Sequence, residues 1–393
     1  MFNWILIDIA TPVTVIILAG LLIRQILLIS FHKNIFDNTD SRKIHKEAIP
    51  RLGGVSFLPS VLFAIMLVLG ICRQFAPDVV SEISADSITS LIFCACAVMI
   101  LYFVGIVDDL IGLKYRSKFT AQIIAALLVT VGGGLYMDNM HGFLGIHTLP
   151  IIIALPLTVL VIVFITNAIN LIDGIDGLSS SLSFIACVIY GCVFYNAGLH
   201  IYALLSFATL ASMVPFFYYN VFGEVRRHNK IFMGDTGALT VGLTLGFLFL
   251  QVCRLPDVGA DGVVAGESLY GSGFFSATGI PNHGVIAMAP LIIPCFDVVR
   301  VYLRRLRLHH NPFLPDKTHI HHKLLALGLS QRAALCVIII SSVILIVVNL
   351  LLSPIVNINL LFVGDITLWG IANILISRAV RRRECLTGLR FYQ

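Results

Sequence analysis

Asp108 and Asp109 close one long apolar run, Asp173 and Asp176 follow another, and Asp235 opens a third. Carboxylates inside or beside membrane-length segments are expensive, so by default they mark a functional site. Adjacent acids repel, and a cation relieves the repulsion. A solvated helix end is the plain alternative for Asp108 and Asp109. Paired anions at a helix C-terminus, however, oppose the helix dipole and gain nothing locally. A later loop carries Arg304, Arg305, Arg307, His309, His310, His319, His321 and His322. Acids, imidazoles and guanidiniums on one membrane side point to metal-dependent chemistry on phosphates.

The individual segments differ in what they say. In Asn167-Ala-Ile-Asn170-Leu-Ile-Asp173-Gly-Ile-Asp176-Gly-Leu178, polar residues recur every third position at a helix end, and glycines then loosen the backbone around two acids. The asparagines share a face of the last turn, and the aspartates sit in a loop able to approach a ligand closely. A simple Asp-Gly turn does not explain the asparagines. Asn229-Lys230-Ile-Phe-Met-Gly234-Asp235-Thr236-Gly237 leads straight into an apolar helix. Asp235 and Thr236 fit an N-cap, and a helix N-terminus is also a phosphate site. His319, His321 and His322 lack cysteines and zinc spacing, which favours phosphate or sugar contact over a transition metal. Asp297 lies one turn before Arg300 and Arg304, so an intrahelical ion pair accounts for it. Asp365 lies within the last span without an assigned role.

The elements that position these residues follow from composition. The 393-residue chain is 58% hydrophobic and 12% charged, against roughly 45–50% and 25% in soluble domains. Apolar runs of about 18 residues or more span a hydrocarbon core of roughly 30 Å. Eleven spans are expected, near 4–30, 53–72, 88–107, 118–137, 150–167, 179–196, 200–219, 236–253, 284–303, 331–352 and 358–379. The fold class is therefore an all-α polytopic membrane protein, read as a single domain over 1–393. Lys33, Arg42, Lys43, Lys46 and Arg51 follow the first span, and basic loops recur after the third, seventh and ninth, with Arg73 and Arg254 as the exceptions. The positive-inside rule then puts the N-terminus outside, the C-terminus inside and all five aspartates on the cytoplasmic side. The first run has no basic n-region and is too long for a signal peptide, so it reads as an anchor. The net charge of +5 is sidedness and gives no sign of nucleic-acid binding. The nine cysteines contain no C-x-x-C pair and read as small buried hydrophobes. The Gly-rich stretch from Arg254 to His283 carries no assigned chemistry.

Charge arithmetic sharpens the site. Like charges 4 Å apart cost about 4 kcal/mol at an effective dielectric near 20, so two phosphorylated substrates need a cation between them. Oxygen ligands from one or two carboxylates suit Mg²⁺, which keeps waters and binds substrate phosphates.

With these residues the chain resembles the bacterial polyprenyl-phosphate N-acetylhexosamine-1-phosphate transferases. The matching segments are Arg51-Leu-Gly53-Gly54, Asp108-Asp109, Asn170 to Leu178, Gly234-Asp235-Thr-Gly237 and His319-Ile-His321-His322, in the family's order and on its membrane side. The resemblance implies transfer of a sugar-1-phosphate from a UDP-N-acetylhexosamine to a polyprenyl phosphate lipid, with Mg²⁺ (or Mn²⁺) and release of UMP. His-Ile-His-His in place of three consecutive histidines, with the basic tail, makes the chain look more like the GlcNAc-1-phosphate branch than the phospho-MurNAc-pentapeptide branch. It also implies roles: Asp235 for the metal, Asp108, Asp109 and Lys118 at the lipid phosphate, and Asn170, Asp173 and Asp176 at the nucleotide sugar. His319, His321 and His322 would contact phosphate, and Arg304 is expected beside them as a basic substrate contact. Lys114 and Arg116 compete with Lys118. The expected setting is the bacterial plasma membrane with the site facing the cytoplasm, and a homodimer is carried as an expectation. A CDP-alcohol phosphotransferase lacks support because no Ala-Arg follows the Asp-Gly pairs. A secondary transporter would carry its acids near the bilayer midplane.

Overall fold

In the computed structural model the described residues are 4–33, 49–255, 282–309 and 318–387. Most of the Gly-rich stretch, Arg42, Lys43, Lys46 and His310 lie outside them. Most of the described residues are helical, with no strand among them beyond an isolated bridge between Asn139 and Thr148. A backbone in lipid must satisfy its own polar groups, so apolar runs of this length fold as helices.

The long helices are α1 (Trp4–Lys33), α2 (Phe57–Phe75), α4 (Ala85–Ile111), α6 (Ile151–Ile172), α7 (Leu178–Asn196), α8 (His200–Val221) and α9 (Gly234–Cys253). The short α3 (Pro77–Ser81) links α2 to α4, and α5 (Tyr115–Leu127) follows α4. The second part comprises α10 (His283–Met288), α11 (Ile292–Arg307), the short α12 (Ile320–Ala326), α13 (Gln331–Leu352) and α14 (Ile358–Thr387). Among the described residues ten helices are long and apolar enough to cross a membrane, α10 and α11 counting as one with the 3₁₀ turn between them. The eleventh expected span is realised differently. Residues 118–137 give the 13-residue α5 and then a π turn over Leu128–Gly132, so no uninterrupted α-helix of membrane length forms there. This helical run still leads from the end of the bundle holding Lys118 to the end holding His141, whose ring bonds the carbonyl of Cys253 at 2.7 Å.

Helix α9 is the axis of the first part. Eighteen of its residues, Thr236 to Cys253, are buried, and it packs against α4, α6, α7 and α10. Association in lipid rests on close van der Waals contact, so small residues carry it. Gly237 is such a residue: its backbone meets that of Gly54, and a side chain at either position would collide with the other. Gly53 N and Gly54 N donate to Phe232 O (2.9 Å) and Met233 O (2.8 Å), and Phe232 N donates to Pro50 O at 2.8 Å. The segment before α2 is thereby laid along the approach to α9. At the far end Asn359 bonds Gly142 O (2.9 Å) and Leu144 N (2.6 Å), tying α14 to the α5–α6 connection. Asp365 finds its account inside the membrane, where Asn349 Nδ2 of α13 donates to its Oδ1 at 3.0 Å. All nine cysteines carry free thiols.

Candidate active site

The end of α4, the start of α5, the end of α6 and the start of α9 meet at one end of the bundle. Gly234, with φ +73, lets the chain turn into α9 against the Arg51 carbonyl and the Asp109 carboxylate, where no Cβ fits. Asp109 then caps α9. Its Oδ1 accepts from Asp235 N at 2.7 Å, and its Oδ2 accepts from Thr236 N at 2.9 Å and Thr236 Oγ1 at 2.6 Å. An anion on the free N–H groups of a helix start is well placed. Of the two roles the sequence allows Asp235, the cap falls to Asp109, 126 residues earlier in the chain, and the Asp235 side chain is left for the cleft.

Asp108 accepts from Leu113 N at 2.5 Å through Oδ1 and from Lys118 Nζ at 2.6 Å through Oδ2. The same ammonium stands 3.5 Å from Asp235 Oδ1, and Asn170 Nδ2 donates to that oxygen at 2.6 Å. Lys118 thus stands between the carboxylates of Asp108 and Asp235. Of the three competing cations, Lys118 occupies the site. Arg116 turns outward, its Nε donating to Tyr115 Oη at 3.2 Å, and Lys114 is exposed.

Asp173 and Asp176 sit on the loop between α6 and α7. Asn220 of α8 fixes this loop: its Oδ1 accepts from Gly177 N at 2.7 Å and its Nδ2 donates to Ile231 O at 2.8 Å. Asp176 pairs with Lys230 Nζ at 2.6 Å. Asp173 opens to the cleft among other carboxylates. Its side chain is exposed at the cleft, yet the protein packed around it raises its pKa first, Asp235 and Asp176 raise it further and Arg51 opposes them, leaving it at about 7. Lys230 and Arg51, named in the sequence only as members of their segments, are functional candidates without a role until the fold places them. Their signal was weak, each being one cation just before a Gly-containing turn at the same membrane side.

The histidines come from the second part. Asp297 is fully buried. Its Oδ1 accepts from Arg300 Nη2 at 2.7 Å and Ile320 N at 3.1 Å, and its Oδ2 stands 2.8 Å from His319 Nδ1. The intrahelical pair with Arg300 is therefore present, and the same carboxylate orients His319. His321 is buried with Nε2 facing Gly174 of the aspartate loop. Burial, then His322 and His319, holds its pKa well below the usual imidazole range, so it is neutral at pH 7. The His319 and His321 rings stack 5.7 Å apart, and the His322 ring centre lies 4.3 Å from that of His321. Arg304 is set apart: it lines a cavity with Lys323 and residues of α14, which none of the five aspartates lines.

Among the described residues no three His, Cys, Asp or Glu side chains gather at ligand spacing for a metal. Asp108 and Asp235, which share the Lys118 ammonium, offer a two-carboxylate, oxygen-only donor set. That set fits an ion completing its shell with water and phosphate oxygens, and it does not fit a structural zinc site.

The sequence pattern of glycosyl transferase family 4 matches residues 91–253, from α4 to the end of α9. A probable undecaprenyl-phosphate N-acetylglucosaminyl 1-phosphate transferase of Bacillus subtilis (strain 168) is 32% identical over 311 residues, 77% of this chain and 73% of that protein. Undecaprenyl-phosphate alpha-N-acetylglucosaminyl 1-phosphate transferases of Yersinia pestis and Escherichia coli (strain K12) are each 27% identical. The alignments cover 80% of this chain and 76% of the Yersinia protein, and 79% and 74% for the Escherichia pair. The chain belongs to glycosyl transferase family 4, in the branch that holds these transferases.

Proposed function

We propose that the protein transfers N-acetylglucosamine 1-phosphate from UDP-N-acetylglucosamine to undecaprenyl phosphate, releasing UMP, and so begins a cell-envelope glycan at the cytoplasmic face of the plasma membrane. The observation that carries this reading is the meeting of Asp108, Lys118 and Asp235 at one end of the bundle, opposite a loop of two further aspartates. The names of the relatives support the donor sugar and the lipid.

Asp235 and Asp108 are the residues that would hold Mg²⁺. When bound, the ion would neutralise the pyrophosphate and the departing UMP. Asp109 has both oxygens engaged by α9, so its role is to fix where Asp235 points. Lys118 lies where a lipid phosphate entering beside Asp108 would meet a cation. Lys230 and Arg51 would receive donor phosphate on the Asp173–Asp176 side, and neutral His321 can donate a hydrogen bond without adding charge. A lipid phosphate oxygen attacks the sugar-linked phosphorus, forming one P–O bond as the bond to UMP breaks. With a second phosphate pKa near 6, the nucleophile is largely deprotonated at pH 7, so alignment outweighs general-base help.

The test is UMP release by purified protein with undecaprenyl phosphate, Mg²⁺ and a panel of UDP-sugars. Release with UDP-N-acetylglucosamine above the other donors is expected. No release with any UDP-N-acetylhexosamine contradicts the reading.

A further inference from the structure

Helix α12 has two differently employed faces. His321 turns to Gly174 and the cleft, whereas Lys323 turns to α14, its Nζ donating to Asn373 Oδ1 and Ser377 Oγ at 3.1 Å each. Beside Lys323 lies a cavity of about 350 Å³, lined by Arg304 of α11, Lys323 of α12, and Ser377, Val380, Arg381 and Glu384 of α14. Three cations and one carboxylate face it. Lys323 is buried, and its two hydrogen-bond partners are neutral. Burial, then Arg300, brings its pKa down to about 8, a shift that a neighbouring anion would reverse. The cavity also sits where α14 carries the run Arg378, Arg381, Arg382 and Arg383, the kind of basic cluster that gathers anionic headgroups at a membrane surface.

We propose that this cavity binds a phosphate-bearing anion distinct from the reacting substrates, and that the bound anion clamps α12 between α11 and α14. Arginine forks and a lysine point charge are suited to phosphate oxygens, and a phosphate would balance the excess of cations over Glu384. The clamp has a structural basis already in place. Arg383 Nη1 donates to Ala326 O at 2.8 Å at the end of α12, and Asp297 holds its start through Ile320 N. An anion joining Arg304, Lys323 and Arg381 adds the third tie to the helix that carries His321. The claim concerns binding and stands apart from the transferase reading.

The experiment uses the full chain in detergent, stripped of phospholipid, and follows its thermal unfolding midpoint during titration with three probes. These are inorganic phosphate, short-chain phosphatidylglycerol and, as the zwitterionic control, short-chain phosphatidylcholine. A ligand of the folded state raises the midpoint saturably. A saturable rise with phosphate identifies a free phosphate ligand, and a rise with phosphatidylglycerol alone identifies a lipid headgroup. Arg381→Glu, at an exposed position, should need at least tenfold more probe for half the rise. Ser377→Leu, which narrows the cavity without a charge change, should do the same. The proposal is overturned if neither anion gives a saturable rise, if phosphatidylcholine equals phosphatidylglycerol, or if both variants respond like the parent protein.

Discussion

The aspartate side and the histidine side of the cleft are held in place by different means. On the aspartate side, α9 is buried along nearly its whole length, and backbone meets backbone at Gly54 and Gly237. Asp109 then closes the arrangement with three short hydrogen bonds to the start of α9. On the histidine side, a seven-residue helix seats Ile320 and Leu324 in a core cluster and is tied at its polar positions by charged side chains: Asp297 at one end, Arg383 at the other, Lys323 along its flank. The first side should therefore be sensitive to size and the second to charge.

Substitutions can break that contrast. The largest expected effect is Asp235→Asn, which should lower transfer by roughly 10³-fold while leaving the unfolding midpoint near the parent value, because the cap on α9 is Asp109. A large loss of stability instead would make Asp235 a structural residue. Next, Gly237→Val forces α9 off Gly54. Overpacking costs about 1–3 kcal/mol or more, so a clear drop in the unfolding midpoint is expected, whereas an unchanged midpoint would mean that the two backbones are not in contact. On the histidine side, Asp297→Asn removes the charge that orients His319 and pairs with Arg300. Misplacement of about 1 Å can cost about 10²-fold, so activity should fall by about that factor, and Asp297→Glu, which keeps the charge, should recover part of it. Lys230→Met should raise the donor KM about tenfold with kcat nearly kept, as expected for a contact made equally in ground and transition states. The smallest effect is pH-dependent. With its pKa at about 7, the Asp173 carboxyl holds its proton in the folded chain where the unfolded chain, near 3.8, has released it. Its contribution to stability is thus greatest in acid and declines as pH rises from about 4 to 7. Asp173→Asn should flatten that decline in the unfolding midpoint, modestly, because the side chain opens to solvent.

Much of this arrangement is legible in the sequence. Acids at the ends of apolar runs must share a membrane face, so the convergence of Asp108, Asp173, Asp176 and Asp235 followed from span parity. Parity says which end a residue occupies but not which way it points around its helix. Hence the pairing of Asp176 with Lys230, 54 positions apart, and the capping of α9 by Asp109 were out of reach. Asp297 was half legible: helical spacing gave Arg300, but the contact with His319 depends on how a loop returns. Arg304 shows the same limit, since neighbouring arginines on one turn point to different places. The run 118–137 was hydrophobic enough to read as a span, yet hydropathy carries no sign of a π turn at Leu128.

The most direct test of the central claim follows the phosphorus atom. UDP-N-acetylglucosamine labelled at the sugar-linked phosphate is given to the purified protein with undecaprenyl phosphate and Mg²⁺. Label is expected on the lipid, matched one for one by UMP, in the parent protein, and neither product in Asp235→Asn. Release of UDP, with label left on the nucleotide while the sugar moves alone, would contradict it.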